Sequence, residues 1–308
     1  MHIGGQAVIE GVMIRNQDIY SIAVRKPDGG IQVVRNEINS PSKKFKFLKW
    51  PFIRGITALI ENLVLGIKSL LYSAEVAIPE EEKKEKKNKK SGKKDSGILL
   101  TLGLIPAILL GIVLFIVLPN LATHYLGIVE KDSPFIFNLI AGGIRLVLFI
   151  TYLMVISLLK DIRRTFQYHG AEHKTIFCYE AGKPLTTEEV NKFKTLHPRC
   201  GTSFLFFVFF IAIIVFPIIT VLLELVFPGF VDLPLYLRKV IIMLLHILVA
   251  LPVIASVSYE LIRLSDKLDN SLVIKILTAP GLFLQRITTK EPDMAQLEVA
   301  IEAVKAVL

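Results

Sequence analysis

Three of the six histidines and both cysteines of this chain fall between His169 and Cys200: His169, His173, Cys178, His197 and Cys200. Imidazole and thiolate are the donors that zinc and similar metals prefer, and three or four of them converging on one point make a metal site. The first two histidines lie in the run His169-Gly170-Ala171-Glu172-His173. This is an H-x-x-E-H pattern, which in inverted zincins supplies two ligands and a general base. On a helix, at about 100° per residue, His169 and His173 stand about 40° apart, and Glu172 stands about 60° to the other side of His169. All three therefore share one face. Cys178 is about 180° from His169 on a straight helix, and Glu180 lies about 10 Å beyond His173 along the axis. Either one joins the site only if the helix breaks.

A further ligand is therefore expected from the far end of the loop. Thr186-Thr187-Glu188-Glu189 has the spacing of a capping box that opens a short helix, Val190 to Thr195. The turn His197-Pro198-Arg199-Cys200-Gly201 then brings His197 and Cys200 back toward the first helix. Two imidazoles plus one of these leave a coordination position for water, whereas four protein ligands close the sphere and make the site structural. In the open version Glu172 takes the proton of the attacking water, and Arg199, with Lys174 as a second candidate, neutralises a developing oxyanion or binds an anionic substrate. The same basic residues also read as a solvated face that sets membrane topology. The expected cofactor is a divalent metal, zinc foremost. The candidate set is Glu172 and Arg199 for catalysis and His169, His173, His197, Cys200 and Cys178 for the metal, with His2 and Glu10 as remote additions.

The elements that must position these groups belong to a membrane protein. A chain of 308 residues with 53% hydrophobic content and a mean hydropathy of +0.57 carries more apolar side chain than a soluble surface absorbs. The net charge of +9 is no nucleic-acid signal. Much of it sits in the linker 79–97, where eight lysines between Lys83 and Lys94 suit anionic lipid headgroups, and no nucleic-acid partner is expected. Thiols in a cytosolic loop stay reduced, so no disulfide framework is expected. The segment MHIGGQAVIEGVMIR lacks the basic and apolar regions of a secretory signal.

In chain order, residues 1–50 read as a small β-rich cytosolic region of about three strands: Gln6 to Ile14, Tyr20 to Val24 and Ile31 to Ile38. Pro27-Asp28-Gly29-Gly30 turns the last pair. Residues 51–78 are an amphipathic helix at the membrane surface or beside the spans, with Arg54, Glu61 and Lys68 as a polar stripe. The linker 79–97 cannot bury a core and is expected to be disordered. Four stretches have the length a bilayer demands: Ile98 to Leu118, Phe135 to Leu159, Phe204 to Phe227 and Leu237 to Val257. They form two pairs, 98–159 and 204–257, around the metal-like loop 160–203, and the second span is expected to continue as helix through Glu180 to a stop at Gly182. Lys and Arg crowd the linker and the loop and avoid the other connections, so both termini and the loop should face the cytosol. Arg238 and Lys239 at the outer end of the last span are the discordant detail. Within the spans, Arg145 and His246 lie at about the same depth and could meet. The tail 258–308 is helical, with Pro292 at a helix start and Leu297, Ile301, Val304 and Leu308 on one face. The predicted fold is mainly α: four transmembrane helices, a small N-terminal β-rich region and a cytosolic His/Cys loop.

Seven segments carry a family resemblance: GGQAVIEGVM (4–13), PFIRG (51–55), LYSAE (71–75), YHGAEHKTIFCYE (168–180), HPRCGTSF (197–204), SYELIR (258–263) and PGLFLQRITTKEPD (280–293). They resemble the YqhQ-type bacterial membrane proteins, a domain-of-unknown-function family whose members carry the label of predicted metal-dependent enzymes. The resemblance implies a bacterial multi-pass inner-membrane protein with His169, Glu172, His173, Cys178, His197 and Cys200 as its candidate site. The expected function is a metal-dependent hydrolase at the cytosolic membrane face. The alternatives are a non-catalytic scaffold with a structural zinc site, and a small transporter built on Arg145 and His246.

Overall fold

A computed structural model of the chain describes residues 3–79, 105–130, 132–198, 200–230, 232–267 and 272–308. The chain forms two compact units, one of residues 1–91, 153–203 and 268–308, the other of residues 92–152 and 204–267.

The first unit is built on an antiparallel sheet of β1 (Gly4–Val8), β2 (Gly11–Asn16), β3 (Ile19–Arg25) and β4 (Ile31–Glu37), in that spatial order. The expected first strand is in fact a hairpin. Val8 pairs with Gly11, and Ile9 and Glu10 form a two-residue turn in which Glu10, the second residue, takes φ 52°. Gln17, the first residue of a second two-residue turn, takes φ 53° and turns β2 into β3. Apolar residues on both sides of the first turn, Ala7 to Ile9 and Val12 to Ile14, hid the fourth strand. The strands Gly11–Ile14 and Ser21–Val24 are buried at every position because the sheet is covered on both faces, and alternation sorts their side chains between the two sides. Val12, Ile14 and Ala23 enter one core with Tyr168, Ala171, Ile176, Leu297, Ile301 and Val304. Val8, Met13, Ile22 and Val24 enter the other with Leu65 and Val76.

The second of these cores is closed by helix α1 (Ile53–Ala77). The linker after it lies outside the described residues from residue 80 onward, and with it the Lys83–Lys94 lipid expectation. In the second unit, α2 (Ile105–Tyr125) is the described part of the first expected span, and α3 (Pro134–Ile156) is the second. The chain does not run on as one helix to Glu180. Leu158 and Leu159 tighten onto the carbonyls of Val155 and Ile156, and Leu159 is extended (φ −70°, ψ 132°), so α4 (Lys160–Glu180) starts afresh. Gly182 ends it at φ +63°, as expected.

The short helix α5 (Thr187–Asn191) begins earlier than the sequence suggests, because Thr186 is itself the N-cap and its hydroxyl accepts from the Glu189 N–H. Helix α6 (Gly201–Val226) and helix α7 (Tyr236–Leu264) follow. With α1, α2 and α3 they are five helices long and apolar enough to cross a membrane, where four were expected; they fit a multi-pass membrane protein. Inside the second unit Phe149 stacks on Phe209 at 4.3 Å and Phe216 on His246 at 4.2 Å. The Arg145 Nε donates to the Phe115 carbonyl at 2.6 Å, where α2 makes a π-helical turn over Val113–Val117. Such a turn satisfies a cation in an apolar bundle without a counter-charge. The discordant Lys239 has a partner as well, Glu130 at 2.6 Å.

The chain then returns to the first unit through α8 (Leu272–Thr288) and α9 (Met294–Lys305). Asp293 caps α9 in a reciprocal capping box with Gln296, so Pro292 stands just outside the helix rather than at its first position. Leu297, Ile301 and Val304 are buried against the sheet and α4, while Leu308 is exposed.

Candidate metal centre

Helix α4 carries the chemistry on its buried side: Gly170 through Ile176 are all inaccessible. Burial of so polar a face needs partners, and they come from all three segments of the first unit. At the outer end of α4, Arg164 and the Tyr168 hydroxyl both engage the Glu10 carboxylate, the hydroxyl at 3.2 Å. This commits Glu10 to the hairpin turn rather than to a ligand role. Gly170 lets the chain after α8 press directly onto the helix. A Cβ there would lie 2.0 Å from the Lys290 carbonyl oxygen, and the Lys290 N–H donates to Phe166 O at 2.9 Å. Gly5 does the same for β1, since a Cβ would meet the Glu172 carboxyl carbon at 2.9 Å.

Three ligand atoms converge. One nitrogen each of His169 and His173 and the Cys200 sulfur lie within 4.8 Å of one another, and His169 Nε2 is 3.1 Å from Cys200 Sγ. Tetrahedral bonds of about 2.0–2.3 Å separate donors by roughly 3.3–3.8 Å, so the spacing suits one zinc-sized ion. The opposite ring nitrogens are fixed by backbone: His169 Nδ1 donates to the Thr288 carbonyl at 2.9 Å and His173 Nδ1 to the Thr195 carbonyl at 2.5 Å. A carbonyl can only accept, so the tautomer is set and both Nε2 atoms offer lone pairs inward. Burial keeps His173 neutral by lowering its pKa.

The Cys200 thiol is also tuned. Burial alone would raise its pKa, but the neighbouring His173 ring and hydrogen bonds from the Thr202 hydroxyl and N–H outweigh this and draw it below the ordinary cysteine value. Glu172 stands beside the trio with its Oε2 buried and, among the described residues, without a hydrogen-bond partner. Burial pushes its pKa up to about 8, against a smaller lowering by His169. An acceptor so placed is costly unless a cation or a water completes it. Two inward lone pairs, a sulfur and an orphaned carboxyl oxygen together fit a metal ion.

Among comparisons with known proteins, the model of a protein family of unknown function, DUF1385, matches residues 50–308. The chain belongs to the DUF1385 family. The uncharacterized protein YqhQ of Bacillus subtilis (strain 168) is 35% identical to this DUF1385 chain over 313 residues, covering 99% of the chain and 92% of the relative. No solved structure matches it. The family match takes in the trio, Glu172 and α8 but not Gly5, which falls within the YqhQ match alone.

Of the expected ligands in this DUF1385 chain, His169, His173 and Cys200 are brought together and two others are not. His197 lies farther along α4, its ring 5.5 Å from that of His173 and 4.3 Å from that of Phe177, with Nε2 3.8 Å from the Glu180 carboxylate. Cys178 faces away, its sulfur 3.4 Å from the Pro184 carbonyl; burial raises its pKa and leaves a packing role. Lys174 is withdrawn from any substrate: its ammonium sits 2.7 Å from Glu291 and 3.0 Å from the Asn191 carbonyl. Arg199 and His2 lie outside the described residues.

Several supporting residues carry no sequence motif of their own. Gln285 holds the loop from both sides, its Oε1 accepting from the His197 N–H and its Nε2 donating to the His197 carbonyl, each at 2.8 Å, and to the Ser203 hydroxyl at 3.2 Å. Thr288 and Thr195 act through backbone carbonyls, which any residue type supplies. The one sequence signal was the resemblance segment 280–293, which contains Gln285 and Thr288.

Proposed function

We propose that this protein is a metal-dependent hydrolase, seated in a bacterial cytoplasmic membrane, that cleaves a carbonyl or phosphoryl substrate at the cytosolic face. The observation that carries this is the trio of His169, His173 and Cys200 with a buried Glu172 oxygen beside it that has no hydrogen-bond partner among the described residues. Three protein donors leave a fourth tetrahedral position for water or substrate, the pattern of catalytic rather than structural zinc. One thiolate with two imidazoles favours zinc over harder ions. The cytosolic assignment rests on the excess of Lys and Arg in the 160–202 connection over the other short connections.

A bound divalent metal lowers the pKa of its water toward 7. The chain's own residues do the rest. The Thr288 and Thr195 carbonyls hold the two imidazoles in the ligating tautomer. Glu172, drawn into its ionised form beside a cation, accepts the proton of the attacking water and returns it to the leaving group, so that substrate and water give two protonated products. Arg199, beside Cys200 in sequence, is assigned to stabilise charge on the substrate oxygen.

Metal content and turnover together test the proposal. Purified protein should hold about one zinc per chain, lost in the His169→Ala, His173→Ala double variant. Glu172→Gln should keep the metal and lose on the order of 10²-fold or more in turnover of whichever ester, peptide or phosphate substrate is found. A second reading, a structural zinc staple, is favoured by the burial of His173 and of Cys200, the latter 9% exposed. Under that reading Glu172→Gln is silent and Cys200→Ser unfolds the first unit.

A further inference from the structure

Helix α1 is long and apolar enough to cross a bilayer, yet its partners tie it to the sheet along much of its length. Arg15 reaches Glu61 at 3.2 Å and Asn62 at 3.3 Å, and the Ser40 hydroxyl also bonds to Glu61. A Cβ on Gly66 would meet Gln6 at 2.6 Å. Tyr72 accepts from Gln32 at 2.7 Å, and Ser73 accepts the Ile9 N–H at 3.1 Å. From Glu61 to Ser73 is about 18 Å of helix, all of it beside the sheet.

Connectivity points the same way. The sheet shares a core with α4, and Glu10 is bonded to Arg164 and Tyr168, so residues 4–37 and 160–180 lie on one side of any membrane. Between α1 and α4 the chain passes through α2 and α3. Two crossings return it to the side it left, and a third would part the sheet from α4.

The face turned away from the sheet is nonetheless apolar. Ile60, Leu63, Val64, Ile67 and Leu71 are exposed, Leu63 by 59%, and at about 100° per residue they form a stripe about 100° wide. Leu65, Gly66, Ser69, Ser73 and Val76 are buried on the opposite side. Just before the helix Phe45, Phe47, Trp50 and Phe52 are exposed, Trp50 by 63%. Residues 41–54 contain Lys43, Lys44, Lys46, Lys49 and Arg54 and no acidic residue. Lys43 is paired with Asp18. Aromatic rings interleaved with cations match the headgroup layer of an anionic leaflet.

We infer that α1 does not span the bilayer but lies flat on an anionic leaflet, with residues 45–52 as its aromatic and basic anchor. The sheet is thereby held between the membrane surface and the α4 site. Lys68 and Glu75, at the edge of the stripe and exposed, keep their charges in the headgroup region.

Trp50 is the only tryptophan of the chain, so its fluorescence reports the anchor with no substitution. The full-length protein is placed in nanodiscs containing phosphatidylglycerol, and quenching by aqueous iodide is compared with quenching by lipids brominated at graded depths. Shallow brominated lipids should quench Trp50 strongly and iodide weakly. The helix itself is mapped in a Trp50→Phe background with single Leu63→Trp, Ile67→Trp or Leu71→Trp changes. The three should report one shallow depth. A depth that deepens steadily by about 12 Å from 63 to 71 overturns the inference in favour of a span. Iodide quenching without lipid quenching overturns it in favour of an aqueous face. Protection from both quenchers overturns it in favour of a protein partner or a second copy of the chain.

Discussion

Glu172 is the residue on which chemistry and stability meet. Its ordinary pKa is 4.5, and burial raises the folded value to about 8 in metal-free protein. Between those values the unfolded chain gives up its proton and the folded chain keeps it, so the unfolded state binds fewer protons. The stabilisation is therefore complete below about pH 4.5 and is lost as pH rises through about 8. At about 1.4 kcal/mol per pKa unit the loss is on the order of a few kcal/mol. In chelator, thermal unfolding followed from pH 5 to 8.5 should show wild type losing stability more steeply than Glu172→Gln, whose amide does not ionise. Parallel slopes for the two proteins would contradict the buried, proton-bearing carboxyl.

At the scale of elements, the site depends on how closely the segment after α8 approaches α4. That approach is possible because Gly170 has no side chain. Gly170→Ala would put a methyl group against the Lys290 carbonyl, pushing away the segment whose Thr288 carbonyl orients His169. Overpacking of this kind costs about 1–3 kcal/mol. The variant should unfold at a temperature lower by several degrees and bind zinc less tightly, read by calorimetry and by competition with a chromogenic chelator. Gly4→Ala, where a Cβ meets nothing within 4 Å, should match wild type in both. The α3–α4 break matters for the same reason: α4 is an independent element, docked by its own buried face.

At the scale of the whole molecule, the first unit is assembled from three stretches of chain separated by two pairs of membrane-length helices. Sheet, α4 and α9 share one core, which requires an even number of crossings in each intervening stretch. Reporter fusions at the N-terminus, in the 181–186 turn and at the C-terminus should therefore all report the same side, the cytosolic one on the charge distribution. A fusion in the connection near residues 126–130 should report the other side. A split among the first three would show that the shared core does not form in the cell.

Much of this was legible in the chain. The H-x-x-E-H face could be placed because α-helical geometry is local: 100° per residue puts His169, Glu172 and His173 together whatever surrounds them, and turns Cys178 away. The apolar runs of α2, α3, α6 and α7 were legible because bilayer thickness sets one length for every span. The fourth strand was missed because neither turn residue, Ile9 nor Glu10, is a glycine or proline, and Gly11 directly after them reads as a lone glycine inside one strand. Other features depend on contacts between residues far apart in sequence, for which no local pattern exists. Cys200 rather than His197 completes the trio because Gln285, 85 residues beyond Cys200, clamps the loop. Lys174 was unreadable as a structural cation because its partners, Asn191 and Glu291, are remote from it in sequence. For α1, the Arg54, Glu61 and Lys68 stripe already marked an amphipathic helix at the membrane surface or beside the spans, and only the structure shows which strands pack against it. The sequence by itself determined the family, through its motif segments, and the membrane class and the ligand face, through composition and local periodicity. The tertiary structure decided which donor joins that face, how deeply Glu172 is buried beside it and which strands pack on α1, because each depends on long-range packing.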